Sequence, residues 1–243
     1  MRLTRVYVDT PITTGEGLVI EGNAVNHITR VLRLRSGDAL TLFDGRGGEY
    51  GARIEEFRRD TVVVTVDSHH EPDRESPLSL TLAQGISRGE RMDWIIQKAT
   101  ELGTSRIVPV FTKRSMVKLD EKQAAKKLQH WRGIAVAACE QSGRNRVPDL
   151  AAPLDFFEVL RDGAPASTRL LLSPSAELGI DELEAVSKGI TVLIGPEGGL
   201  AETEQQAAIA AGFRPVRLGP RVLRTETAAI AALTIIQHYF GDL

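Results

Sequence analysis

The stretch ITVLIGPEGGLAETEQQAAIAAGFRPVRLGPRVLRTETAAIAALTIIQHYF, Ile190 to Phe240, decides the fold. It opens with a β-branched apolar run, breaks at Gly-Pro-Glu-Gly-Gly, and continues as ETEQQAAIAAG, a helix closed by glycine. RPVRLG then repeats the plan as a strand with its own Gly-Pro turn, followed by TETAAIAALTIIQHYF as the last helix. Strands alternating with helices of this length call for a largely parallel sheet covered on both faces.

Working backwards, the same rhythm begins at Leu78. LSLTLAQGI, RIVPVF and RLLLSP read as strands, and RMDWIIQKATELG, EKQAAKKLQHWRGIAVAACEQSG and DELEAVSKG as helices. The first ~70 residues read differently. TRVYVD, LVI, DALTLFDG, GEYGARIEEF and TVVVTVD alternate or are β-branched, and one helical piece, NAVNHITRVLRL, interrupts them. Short strands so spaced suggest a small β-barrel. SHHEPDRESP, Ser68 to Pro77, is polar and Pro-bounded and reads as a linker. The expectation is two domains, 1–72 and 73–243.

Composition fits a globular protein with a core, at 42% hydrophobic and 26% charged residues. No apolar run approaches the roughly 18 residues of a membrane span, and MRLTRVYVDTPITTGEG lacks an apolar signal core. A cytoplasmic location is expected. The single cysteine, Cys139, excludes an internal disulfide and a cysteine-rich zinc site; mid-helix in AVAACEQ, it reads as packing. His69 and His70 sit in the linker without partner ligands, so no metal is expected. The net charge of −2 hides an asymmetry: residues 84–146 carry 13 Lys and Arg against 6 acids, and residues 147–243 carry 7 against 13. A basic sector on an acidic protein points to a local polyanion contact.

Three strands end in turn-forming sequence, LLLSPS, VLIGPEGG and VRLGPRVLRTET. Ligands of open α/β sheets bind off the carboxyl ends of strands, so these ends nominate one site. Neither phosphate-loop pattern is present, no lysine lies in either Gly-Pro loop, and Glu197 would repel a phosphate. A carboxylate there suits a hydroxyl, an amine or a cation. Thr225 and Glu226 suit the cap and first turn of the last helix. Arg224 has no such structural use.

IGPEGGLAETE followed by LGPRVLRTETAAIAAL resembles the SPOUT-class RNA methyltransferases, and within them the bacterial 16S rRNA uridine-N3 methyltransferase family (RsmE). QGISRGERMDWIIQKATELG, TKRS and AACEQSGR stand in that family's order, and YV, NHITRVLRLRSGD and FDGRGGEY are similar to its N-terminal domain. The resemblance implies a PUA-like barrel that helps hold RNA, followed by a SPOUT α/β domain with a C-terminal trefoil knot. It also implies a homodimer acting on the 16S rRNA of the small ribosomal subunit. The implied cofactor is S-adenosyl-L-methionine, held by Leu172, Ser173, Ile194, Gly195, Pro196, Glu197, Gly198, Gly199, Leu218, Gly219, Val222, Leu223, Arg224 and Thr225.

Methylating N3 of a uridine needs no covalent adduct, because the imide nitrogen becomes nucleophilic as its proton leaves. An arginine beside it would stabilise charge on the uracil oxygens. Arg224 is the first candidate and Arg144 the second, with Glu197 and Glu226 as candidate bases. Arg5, Arg30, Arg33, Arg35, Arg88, Lys98, Arg114 and Arg144 are the expected RNA contacts. One departure stands out: Leu200-Ala201 replaces the family's aromatic-serine pair, so the helix after the first loop loses its serine cap. Thr203 with Gln206 offers a replacement box, which predicts a shortened or frayed helix start.

Overall fold

The computed structural model describes residues 4–72, 74–117, 119–161, 168–183 and 189–243. Two compact units emerge, one of residues 1–75 with 136–147, the other of residues 76–135 with 148–243.

In the first unit, β1 (Arg5–Tyr7), β2 (Gly17–Ile20), β3 (Ala39–Phe43), β4 (Glu49–Phe57) and β5 (Val62–His70) form one sheet in the order β1-β3-β4-β5-β2. β1 runs parallel to β3 and the other pairs are antiparallel. No β1–β2 pairing joins the edges among the described residues, so the expected barrel is half-closed. Alternation puts Ile20, Leu40, Leu42, Ile54, Val62, Val64 and Val66 inside, with Val6 and Ile28 packed among them. α1 (Asn23–Asn26) runs into a π-helical turn, His27–Leu32, which ends at Arg33 in the left-handed region, φ 57°. The expected linker is shorter than its composition suggested. Ser68, His69 and His70 continue β5, paired with Gly51, Tyr50 and Glu49, and His69 stacks on Tyr50. Pairing across the hairpin supplies what local polarity does not reveal.

Residues 136–147 join this unit through buried charge. Arg5, 3% exposed, pairs with Glu49 and donates to the Arg144 carbonyl and to Asn145 Oδ1. Glu75 Oε2 accepts Arg144 Nε and Nη2 at 3.0 and 2.7 Å, and its Oε1 accepts the Asn145 and Arg146 amides, each at 3.0 Å. Cys139 is fully buried, and burial pushes its thiol up to about 12, so it packs and does not act as a thiolate.

The second unit is the α/β layer. Its elements are β6 (Ser79–Gly85), α2 (Glu90–Glu101), β7 (Arg106–Phe111) and α3 (Glu121–Ser142), whose last turns belong with the first unit. Then follow β8 (Asp149–Leu150), β9 (Leu154–Asp155), α4 (Phe156–Arg161) and β10 (Thr168–Leu172). β11 (Gly189–Ile194), α5 (Glu202–Ala210), β12 (Arg214–Val216) and α6 (Thr225–Phe240) complete it. The sheet order is β12-β10-β11-β6-β7-β8, with β9 also on β7, and every pair is parallel. Central strands are buried on both faces, as Leu80, Leu82, Val192 and Leu193 show. Trp131 is buried on α3, whereas Trp94 on α2 is 58% exposed. α4 and the two-residue strands were not legible in the sequence. Of the helix expected over Asp181–Gly189, the described part is a 3-10 turn, Ile180–Glu182; residues 184–188 lie outside the described residues.

The predicted fraying of α5 does not occur. The helix starts at Glu202, one residue after Ala201. Glu204, 1% exposed, replaces the missing serine: Oε2 accepts the Ala201 amide and Oε1 the Lys113 amide, each at 2.8 Å. The same carboxylate thereby ties the β7–α3 connection to the helix start. Glu204→Ala orphans two backbone donors and is expected to cost about 2–3 kcal/mol, a Tm drop of roughly 4–12 °C in a thermal melt.

Candidate functional site

The carboxyl ends of β10, β11 and β12, three neighbouring strands, open on one cavity of about 600 Å³. That volume suits a small organic ligand. Its wall is built from Leu171 to Pro174 after β10, Ile194 to Leu200 after β11, and Leu218, Gly219 and Arg221 to Glu226 leading into α6. Arg91, Arg114, Gln205 and Ala228 complete it. All fourteen residues expected to hold the cofactor lie on this wall.

Backbone approach shapes the first loop. A β-carbon on Gly195 would sit 2.9 Å from the Gly199 carbonyl carbon and the Leu200 nitrogen. One on Gly85, at the end of β6, would sit 2.5 Å from the Pro196 nitrogen. Gly199 closes the turn at φ 66°, its amide donating to the Pro196 carbonyl at 2.8 Å. The loop therefore folds on itself and presses on β6 only because two side chains are absent.

Buried hydrogen bonds lock the two Gly-Pro loops together. Thr225 Oγ1 donates to the Gly195 carbonyl at 2.8 Å and accepts Gln84 Nε2 at 3.0 Å. Gln84 Nε2 also lies 3.0 Å from the Gly85 carbonyl and 3.3 Å from that of Gly195. Thr225 is thus the first residue of α6 and a bridge between loops, not the helix cap expected of it; Arg224 occupies the cap position without a side-chain cap bond. Sequence reasoning missed Gln84 altogether. The one available signal was an amide ending an otherwise apolar strand, LTLAQG.

Glu197 faces away from a ligand-only role. Its Oε1 accepts the Arg88 amide and Arg91 Nη1, both at 2.9 Å, so the loop is latched to the start of α2. Burial raises this carboxyl, but hydrogen bonds from the Arg88 amide, its own amide and Arg91, with the Arg91 charge, outweigh that and hold it below the usual range. A depressed carboxylate adds stability above its unfolded pKa and loses it as pH falls through the folded value. Glu197→Gln is therefore expected to lower Tm at pH 7, with the gap to the wild type closing as pH falls through the folded value. Melts across the acid range check this.

Arg91 also stands 3.8 Å from Glu226 Oε1, between one acid of each loop. Arg114 Nη1 donates to the Gly198 carbonyl at 3.1 Å. Arg224 and Arg221 are exposed on the wall, with no hydrogen bond from either side chain among the described residues. Of the other sequence candidates, Arg30, Arg33 and Arg35 are exposed in the first unit, Arg88 is exposed at the α2 start, and Lys98 pairs with Glu101. Arg5 and Arg144 depart from expectation. Both are buried in the first unit with their guanidinium groups spent on Glu49 and Glu75, which leaves no face for a phosphate. Among the described residues no group of three or more His, Cys, Asp or Glu is placed to hold a metal ion, and no helix is long and apolar enough to cross a membrane.

Comparison with known proteins agrees with this layout. An RNA methyltransferase domain model matches residues 74–237, and an RNA methyltransferase PUA domain model matches residues 20–67. The ribosomal RNA small subunit methyltransferase E of Buchnera aphidicola subsp. Schizaphis graminum is 34% identical over 242 residues, covering 100% of this chain and 98% of that one. A solved structure of a putative methyltransferase from Legionella pneumophila, in complex with bound cofactor SAM, is 41% identical with a TM-score of 0.96 and covers 100% of both chains. The ribosomal RNA small subunit methyltransferase E of Neisseria gonorrhoeae, bound to S-adenosyl methionine, is 38% identical with a TM-score of 0.93, covering 99% of each chain.

Proposed function

This chain belongs to the ribosomal RNA small subunit methyltransferase E family, and on that premise we propose that it transfers a methyl group from S-adenosylmethionine to N3 of a uridine in 16S rRNA. The observation that carries this reading is the cavity wall, where bare loop backbone and apolar side chains meet and Glu197 and Glu226 stand among four arginines, Arg91, Arg114, Arg221 and Arg224.

The donor set fits a phosphate-free cationic cofactor. Backbone amides and carbonyls of the Gly195–Gly199 and Leu218–Thr225 loops are at hand for an adenine edge and ribose hydroxyls. Leu172, Ile194, Leu218 and Leu223 provide apolar flanks for the ring. When bound, this cofactor supplies an electrophilic methyl on a sulfonium and leaves as a neutral thioether. The chain's own part is to hold donor and acceptor together and to manage charge. Arg224, exposed on the wall and at the cap of α6, is the group to stabilise negative charge on the uracil oxygens as the N3 proton leaves. Glu197 positions its loop through Arg88 and Arg91. Arg30, Arg33, Arg35, Arg88 and Arg114, all exposed, are proposed to meet RNA phosphates. The working form is a cytoplasmic homodimer acting on the small ribosomal subunit.

Calorimetric titration with S-adenosylmethionine tests the cofactor assignment. One site per chain is expected, displaced by S-adenosylhomocysteine. A chain that takes up neither compound would contradict it.

A further inference from the structure

Two carboxylates line the cavity, and they are not equivalent. Glu197 Oε1 already holds the Arg88 amide and Arg91 Nη1, and those bonds keep it a weak proton acceptor. Glu226 makes no side-chain hydrogen bond among the described residues. Its Oε2 is buried without a partner, and Oε1 has only Arg91 Nε at 3.8 Å, beyond hydrogen-bond length. A carboxylate oxygen left without a donor is destabilised, and the Glu226 carboxylate as a whole stays 15% exposed on the cavity wall. The first turn of α6 and the Thr225 bridge fix its place on the wall. The cavity's other charged groups, Arg91, Arg114, Arg221 and Arg224, are cations, so among the described residues Glu197 and Glu226 are its carboxylates.

Resting on the uridine-N3 reading above, we infer that Glu226 is the general base that removes the N3 proton. The N3–H bond breaks, the proton passes to a Glu226 carboxylate oxygen, and the electron pair stays on N3 to attack the methyl carbon. As that bond forms, the methyl–sulfur bond breaks and its electrons remain on sulfur. Solvent then takes the proton from Glu226. Arg91 stands between Glu197 and Glu226, at 3.8 Å from Glu226 Oε1, without consuming the lone pairs of that carboxylate.

Glu226→Gln is close to isosteric, keeps an acceptor oxygen and cannot take a proton. Purified variants are assayed on unmodified small ribosomal subunits carrying either uridine or 5-fluorouridine, whose fluorine acidifies N3. Cofactor Kd is measured calorimetrically. For Glu226→Gln on uridine, the expected result is a turnover loss of roughly 100-fold or more at pH 7. Its rate should climb about tenfold per pH unit where the wild type is flat. Most of the loss should be recovered on 5-fluorouridine, with cofactor Kd unchanged within about threefold. Glu226→Asp restores the flat pH profile at a lower rate. An equal, pH-independent loss on both substrates overturns the inference, as does a large rise in Kd with turnover kept at saturating cofactor, which would make Glu226 a contact for the cofactor's ammonium. Wild-type protein that yields 3-methyluridine while Glu226→Gln matches it sinks the base alone; wild-type protein that yields none sinks the reaction assignment as well.

Discussion

Gly195→Ala is expected to abolish useful cofactor binding, raising Kd by about 100-fold or more, which is roughly 3 kcal/mol. The added methyl would lie 2.9 Å from the Gly199 carbonyl carbon and the Leu200 nitrogen and 3.1 Å from the Gly199 α-carbon. All three are backbone atoms, so no side chain can rotate away, and the loop must open. Opening it also moves the Gly195 carbonyl off Thr225 Oγ1 and Gln84 Nε2, which uncouples the second loop. Gly199→Ala is the matched control. No atom lies within 4 Å of its added carbon, so it bears only the strain of φ 66°, about 1 kcal/mol. Calorimetry on the two variants separates close approach from backbone strain. A Gly195→Ala protein that binds cofactor within threefold of wild type would show that the loop does not need its closed form.

The second large effect concerns turnover. Arg224→Ala is expected to lower kcat by about 100- to 1000-fold, the cost of removing one charge-stabilising donor from a transition state. Cofactor Kd should change by less than about threefold, because no cavity bond depends on that side chain among the described residues. Arg224→Lys should recover only part of the rate, since an ammonium cannot match a planar fork of donors. Single-turnover rates at saturating cofactor read this directly, and a normal rate in the alanine variant would remove Arg224 from the chemistry.

Much of this site was legible in the sequence because its loops are made of local signals. A Gly-Pro turn straight after an apolar run marks a strand end wherever it falls, and the two here mark the ends of β11 and β12, on either side of β10. The parallel sheet followed from the same alternation. What was not legible depends on residues far apart in the chain. Glu197 reads as a ligand group until Arg88 and Arg91, more than a hundred positions away, are seen on its carboxylate. Thr225 follows local capping rules on paper, and a tertiary partner, Gly195, overrides them. At Ala201 the deciding bond is local, from Glu204 three residues on, and only the Lys113 amide that shares its carboxylate lies far away in the chain. Arg5 and Arg144 look like surface cations by composition and are buried, each paired with a partly exposed carboxylate, Glu49 and Glu75. Residues 136–147 group with the first unit, where Arg144 pairs with Glu75 and Arg5 donates to Arg144 and Asn145, and none of these links has a local signature.

The most direct test of the account is the identity of the product. Small ribosomal subunits lacking the modification are incubated with the protein and methyl-labelled S-adenosylmethionine, the RNA is digested to nucleosides, and the label is located by mass spectrometry. The account predicts label in 3-methyluridine at one site of the 16S rRNA. Label recovered only as a 2′-O-methyl nucleoside, or in a base other than uracil, would contradict it.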